Sequence, residues 1–391
     1  MAARVFGLAG VLLLARRLGP SDFGIVSFAL SLVGWFGLAV DSGTELLSVR
    51  DIAREPHRFR ELADRVLGLR LVLSLLAGGI FVGAVELFAH SGRVRDTVVL
   101  FAIVLPALAL NLRWMVLGVR SAKAVAAGNV AARAVLALGI LAFVHGSADL
   151  PRVPFLELVA ELTYAVVIGV AVARHFGLAR PRVDVAAWTR TLRQSLPLLV
   201  NGFARAAFYS FDIVAIELFL GPRKVGLYTA ASKPVLFFTG ALGLFSIAFL
   251  SSFSAARPEE ARQLLRRSLR TSFAVCALVA ACLSAGAVVA VPLVFGDAYR
   301  GAVVALVVLA WRIPIMALSS PLGSALIAAG RQMTLMRLNV VGALALVGGD
   351  LVAVPFGGIV GAAAVSVVAS LLVLALTYRA VRAPSQPPQR P

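Results

Sequence analysis

Residues 18–36 read LGPSDFGIVSFALSLVGWF, and residues 220–233 read LGPRKVGLYTAASK. Leu18-Gly19-Pro20 recurs as Leu220-Gly221-Pro222, an offset of 202 residues. The same offset carries Gly24 onto Gly226, Ala29 onto Ala231, Pro56 onto Pro258, Arg60 onto Arg262, Leu62 onto Leu264 and Arg65 onto Arg267. One offset held without a gap over about fifty residues marks an internal duplication. The copies fall at the same place in each half: first loop, next helix, next loop. The chain therefore reads as two lobes in parallel orientation, related by an axis along the membrane normal, with a substrate site expected between them.

Composition says what the lobes are made of. Of 391 residues, 60% are hydrophobic and 14% charged, and the mean hydropathy is +0.93. A water-soluble domain carries roughly 45–50% apolar and about 25% charged residues, so this excess cannot be hidden in one soluble core. Twelve apolar segments can be drawn, at about 5–15, 25–49, 67–89, 97–119, 130–144, 155–173, 196–220, 228–253, 271–294, 302–327, 338–354 and 357–378. They are too long and too continuously apolar to be strands. The fold class expected is an all-α integral membrane protein with about twelve transmembrane helices in two six-helix lobes. The divisions are 1–175 for the N-lobe, 176–195 for a basic cytoplasmic linker, 196–379 for the C-lobe and 380–391 for a Pro-rich cytoplasmic tail. Within the linker, 184–195 is expected as a surface helix carrying Trp188. The first segment is short and lacks the layout of a signal peptide; a shortened first helix or a late start codon is expected.

The net charge of +18, from 37 Lys+Arg against 19 Asp+Glu, is read as topology and not as nucleic-acid binding. With the N-terminus inside, 26 basic residues fall on the cytoplasmic side, 8 on the other, and Arg205, Lys233 and Arg312 inside spans. The asymmetry places both termini in the cytoplasm. Cys276 and Cys282 are six apart on one segment. That spacing suits neither a disulfide nor a metal site.

The first motif, followed by VRDIAR (Val49–Arg54), closely resembles the opening of the polysaccharide-biosynthesis flippases. These are Wzx-type transporters of the multidrug/oligosaccharidyl-lipid/polysaccharide exporter superfamily, which also holds the MATE exporters and lipid II flippases. Phe211–Lys233, VFGDAYRGA (Val294–Ala302) and PFGGIVGAA (Pro355–Ala363) resemble it too, in order along nearly the whole chain. The resemblance implies a MATE-like fold with a cavity alternately open to each side of the bacterial inner membrane. It implies an undecaprenyl-pyrophosphate-linked oligosaccharide as cargo. Expected partners are that lipid-linked oligosaccharide, membrane lipids, a glycan polymerase and glycosyltransferases. No cofactor is expected beyond coupling to H+, Na+ or the membrane potential, and no metal.

Charges inside spans are costly and tend to face a cavity or a partner. Arg205 and Asp212 are seven apart on the seventh segment, hence on one face and about 10 Å apart along the axis, with Tyr209 on the same stripe. Arg205 meets a diphosphate or sugar acid while Asp212 pairs with a cation, or the two form a structural pair. The resemblance matches Asp212 and Lys233 to family residues. Lys233 either lines the cavity or reaches the interface, and Arg312, beside Trp311, is a further cavity candidate. Asp41 and Glu45, with Arg50 and Arg54 beyond, are read as a cytoplasmic-gate ion-pair cluster. Arg113 reads as a topological anchor. Glu157 and Glu161 share a face, either as a proton or cation site or facing the interface.

Enzyme motifs are missing: no Gly-Lys of a phosphate-binding loop, no GxSxG and no HExxH. Rival readings are an ion-coupled multidrug exporter, whose pocket should be acidic and aromatic, a membrane-embedded glycan polymerase or ligase, which needs a large outer loop, and a non-transporting scaffold.

Overall fold

The computed structural model describes residues 2–54, 59–88, 92–118, 122–177, 180–255 and 258–382. Pro56 and the tail beyond Arg382, which entered the sequence reading, lie outside these residues. Among the described residues every regular element is a helix and none is a strand. In order they are α1 (Ala2–Asp41), α2 (Thr44–Arg54), α3 (Phe59–Phe88), α4 (Gly92–Leu100), α5 (Val104–Ala109), α6 (Arg113–Gly118), α7 (Ala122–Phe143), α8 (Val153–Phe176), α9 (Val185–Leu220), α10 (Pro222–Ala255), α11 (Pro258–Phe295), α12 (Val303–Ala310), α13 (Arg312–Ala328) and α14 (Gln332–Arg382). The protein is an all-α membrane protein. Eight stretches are long and apolar enough to cross a bilayer. Two of them, α1 and α14, are each a pair of helices joined at a glycine, Gly19 and Gly358. With α9 and α10 they account for the twelve expected segments.

The duplicated Gly-Pro explains the first joint of each half. Gly19 has φ 72° and Gly221 φ 78°, a left-handed backbone that a residue with a Cβ enters only at a cost. Pro20 and Pro222 then lie in the first turn that follows, where a missing N–H costs nothing. A second correspondence lies in the fourth segment of each half, which is broken in both. In the first half the break runs over Leu110–Leu112, after Ala109. In the second it falls at Trp311, the position 202 residues on.

The chain divides into two compact units, residues up to Ala206 and residues from Ala207. The sequence reading ends its first lobe at 175 and treats 176–195 as a linker. In the structure α9 runs unbroken from Val185 to Leu220, and its first turns pack in the first unit. A Cβ on Gly43 would sit 2.9 Å from the Ser195 carbonyl, and Trp35 and Phe203 have ring centroids 6.2 Å apart. The expected surface helix is thus the start of α9. Asp184 caps it by accepting from the Ala187 N–H at 2.9 Å, as a capping carboxylate does. The segment before it is strapped to α3. Arg182 N–H donates to the Asp64 carbonyl (2.9 Å), Arg180 N–H to Asp64 Oδ1 (2.6 Å), and Trp188 Nε1 to the Arg65 carbonyl (3.1 Å).

Inside a bilayer, helices are held by close packing and hydrogen bonds, not by water exclusion between them. Gly139 lets the Leu156 side chain approach α7, and Gly342 does the same for Val373 across the two halves of α14. In the first unit Ile52, Phe59, Val66, Trp114, Tyr164 and Ile168 form one core joining α2, α3, α6 and α8. This core fixes α2 and α6 against α3. Cys276 and Cys282 are both free thiols.

Candidate functional site

The first unit carries an open cavity of about 660 Å³ with a charged wall. The break between α1 and α2 supplies Asp41 and Glu45, α3 supplies Arg70, and the break between α5 and α6 supplies Asn111 and Arg113. Arg133 comes from α7, Glu157 and Glu161 from α8, and Arg205 from α9. Two consecutive left-handed residues, Ser42 (φ 49°) and Gly43 (φ 72°), end α1. They turn the chain so that Asp41 Oδ1 accepts from the Glu45 N–H at 3.2 Å, at the start of α2.

Arg70, only 3% exposed, ties the two helix breaks together. Its Nε donates to Thr44 Oγ1 (3.0 Å), one Nη to the Asn111 carbonyl (2.9 Å) and the other to Asp41 Oδ1. On the other side of the same breaks, Arg113 Nε donates to Glu45 Oε1 at 2.7 Å. Arg133 faces two carboxylates, Glu157 at 4.0 Å and Glu161 at 3.8 Å. Arg205 is exposed to the cavity and has no acidic partner among the described residues. The wall therefore presents three neutralised guanidinium groups and one that is not. A cavity of this size suits a small ligand or a ligand's head group.

The second unit holds a different arrangement, closed around a space of about 20 Å³, little more than one water molecule. Asp212 is buried and accepts from the Tyr228 hydroxyl, from Ser366 Oγ at 3.2 Å and from the Ile213 N–H at 3.2 Å. Arg312, 4% exposed, donates to Ser370 Oγ (3.1 Å) and to the Phe208 carbonyl (2.7 Å). Its guanidinium lies 5.0 Å from the Phe208 ring centroid and 5.4 Å from that of Tyr209. Asp350, wholly buried, is in electrostatic reach of Asp212 and Arg312. Its two oxygens have no hydrogen-bond partner among the described residues. Buried polar networks of this kind specify packing when their members are satisfied.

The candidates thus divide. Asp41, Glu45 and Arg205 line the large cavity, together with Arg113, Glu157 and Glu161. Tyr209, Asp212 and Arg312 line the small one. The sequence reading set Arg205 and Asp212 on one stripe; among the described residues the Asp212 carboxylate accepts from Tyr228, Ser366 and the Ile213 N–H. Lys233 is half-buried and is not on the wall of either cavity. Arg50 bonds its neighbour Asp51 at 2.9 Å on the surface, away from the Asp41 and Glu45 pairs. Arg70 and Arg133 were counted as topology because they stand near segment ends, and only their partners reveal them. Asp350 and Glu217 were overlooked although an acid inside an apolar span is itself the signal.

A family model described as polysaccharide biosynthesis protein matches residues 1–250. The chain is 24% identical over 307 residues to the "Putative O-antigen transporter" of Escherichia coli (strain K12), covering 76% of this chain and 73% of that one. Among solved structures it is similar to the inward-facing conformation of a multidrug resistance MATE family transporter of the MOP superfamily. That match has a TM-score of 0.79 at 17% identity, covering 97% of this chain and 94% of the other. It is equally similar to lipid II flippase MurJ in an inward closed conformation, with a TM-score of 0.79 at 14% identity, covering 97% and 86%. At such identities the structures speak for the fold.

Proposed function

The chain belongs to the polysaccharide biosynthesis protein family, and from that premise we propose that it is a flippase for a lipid-diphosphate-linked oligosaccharide. The carrying observation is the cavity of the first unit, where Arg205 offers an unneutralised guanidinium beside three that are paired. A guanidinium stays charged and presents parallel donors that suit phosphate oxygens better than an ammonium does. In this reading the head group and its sugars enter the wet, charged cavity while the lipid tail stays in the bilayer. The cavity then opens to the other side of the bacterial inner membrane, with Asp41, Glu45, Arg70 and Arg113 forming the gate cluster. The relative's name supports the cargo class. H+, Na+ or the membrane potential supplies the driving force, and glycosyltransferases and a glycan polymerase make and consume the cargo.

Export of organic cations by a multidrug transporter is the second reading. It is disfavoured because each carboxylate on the cavity wall already faces an arginine. An organic cation needs an acid that is not so occupied.

The test is glycan export per molecule of membrane-inserted protein. Arg205→Ala should lower it by about tenfold to a hundredfold, the worth of one charge-assisted contact, with normal insertion. Arg205→Lys should recover part of the loss. Full export by Arg205→Ala would remove this residue, and the diphosphate reading with it.

A further inference from the structure

Leu30, Val33, Gly34, Gly37, Leu38 and Asp41 of α1 line the cavity of the first unit, and their spacing puts them on one face of the helix. Leu198, Leu199, Gly202 and Arg205 are the face that α9 turns to the same cavity. Three contacts set the register between these faces. A Cβ on Gly43 would lie 3.0 Å from the Leu198 Cβ, and one on Gly202 would lie 3.7 Å from the Leu38 side chain. Trp35 and Phe203 form the ring pair described above. The two helices therefore run antiparallel, each step up α1 matched by a step down α9. Carried one turn on from Leu38 and Gly202, the register brings Gly34 to the level of Arg205.

Four glycines line this cavity, and three of them have neighbours that explain them. A Cβ on Gly37 would meet Leu108 at 2.9 Å, one on Gly43 the Ser195 carbonyl at 2.9 Å, and one on Gly202 the Leu38 side chain. Gly34 is different. A Cβ there would meet nothing within 4 Å, and the residue is exposed to the cavity. Its backbone is helical, and in a helix glycine is among the poorest formers. Neither packing nor backbone conformation asks for glycine at this position, and a residue with a side chain would serve the fold at least as well. What the missing side chain leaves is room. That room stands at the level of Arg205, the guanidinium on this wall that faces no carboxylate among the described residues.

We propose that Gly34 is a positioning residue of the transport site, whose bare backbone holds open the berth in which an anionic head group meets Arg205. The identity of the anion, a diphosphate, rests on the function proposed above; the berth rests on the placement of Gly34 and Arg205 on one cavity wall. A side chain of leucine size at this position would fill the volume that a phosphate group needs beside the guanidinium. Gly34 touches neither a charge nor a packed neighbour, so it acts only through the space before Arg205. Its effect on binding therefore depends on Arg205 being there.

The experiment is calorimetric titration of the full-length chain in lipid nanodiscs with undecaprenyl diphosphate, beside the melting temperature of each variant. Gly34→Leu should melt no lower than wild type and bind about tenfold more weakly, the worth of a hindered charge-assisted contact, with Gly34→Ala in between. In an Arg205→Ala background the same Gly34→Leu change should weaken binding by less than about threefold, because residues that serve one contact are not additive. Should Gly34→Leu not insert, Gly34→Cys in a chain carrying Cys276→Ala and Cys282→Ala serves in its place. Undecaprenyl diphosphate should slow the reaction of that cysteine with a methanethiosulfonate reagent, and undecaprenol, which has no anion, should not. Binding by Gly34→Leu equal to wild type, an undiminished loss in the Arg205→Ala background, or labelling that undecaprenyl diphosphate leaves unchanged would overturn the role of Gly34 and leave the flippase reading standing. No binding by wild type would overturn both.

Discussion

Arg70 and Arg205 are two arginines on one cavity wall with opposite duties. Arg70 is sealed in and makes three contacts to two helix breaks. Removing it leaves Asp41 without its cation and the Asn111 carbonyl without its donor, at a cost of about 3–5 kcal/mol for a buried pair broken on one side. Arg70→Ala should therefore unfold at a clearly lower temperature in detergent and accumulate poorly, and Asp41→Asn combined with it should recover part of the loss. Arg205→Ala should melt like wild type, since nothing acidic depends on it. A scan of the two variants beside wild type checks the contrast; equal melting of Arg70→Ala and wild type would contradict it. Arg205 was legible in the sequence because a charge in mid-span needs a reason. Arg70 was not, because its position near a segment end has a sufficient topological explanation. Asp212 was legible as a buried acid, but its partners Tyr228 and Ser366 come from two other helices, and no spacing rule reaches them.

At the scale of elements, the Gly-Pro joints were readable directly. The duplicated motif marks a helix end and a helix start in each half, and Gly19 and Gly221 both take a positive φ there. The linker was misread for a physical reason. Its basic, polar composition hides the fact that Asp184 caps a helix that meets no break before Gly221, so residues 185–206 join the first unit. What holds this segment down is close contact with α3, through the Asp64 carboxylate, the Trp188 indole and a backbone approach that a glycine permits. A Cβ on Gly68 would stand 2.4 Å from the Arg182 carbonyl, closer than any real contact. Gly68→Ala should push residues 180–184 off α3, cost about 1–3 kcal/mol as overpacking does, and speed tryptic cleavage after Arg182. Unchanged cleavage and melting would show that the strap is not held this way.

At the scale of the molecule, hydropathy and the offset of 202 residues were enough to announce an all-α membrane protein with two halves of like design. The matching breaks at Leu110–Leu112 and at Trp311 extend that likeness to interruptions within helices. Topology remains an expectation from charge. A reporter fused after Arg379 should be active only in the cytoplasm, and one at Gly146 only outside. A cytoplasmic signal from Gly146 would break the twelve-helix register. The position of the cargo site could not be read from the repeat alone, because charge pairing is made by side chains distant in sequence. The central claim is that this chain moves a diphosphate-linked oligosaccharide across a bilayer by way of that charged cavity. The most direct measurement is reconstitution of the purified chain into liposomes carrying undecaprenyl-diphosphate-linked oligosaccharide in one leaflet. The appearance of the glycan in the opposite leaflet is then followed over time. The account predicts movement that requires the protein and is lost in Arg205→Ala at equal insertion. No movement with correctly inserted wild type, or equal movement with Arg205→Ala, would contradict it.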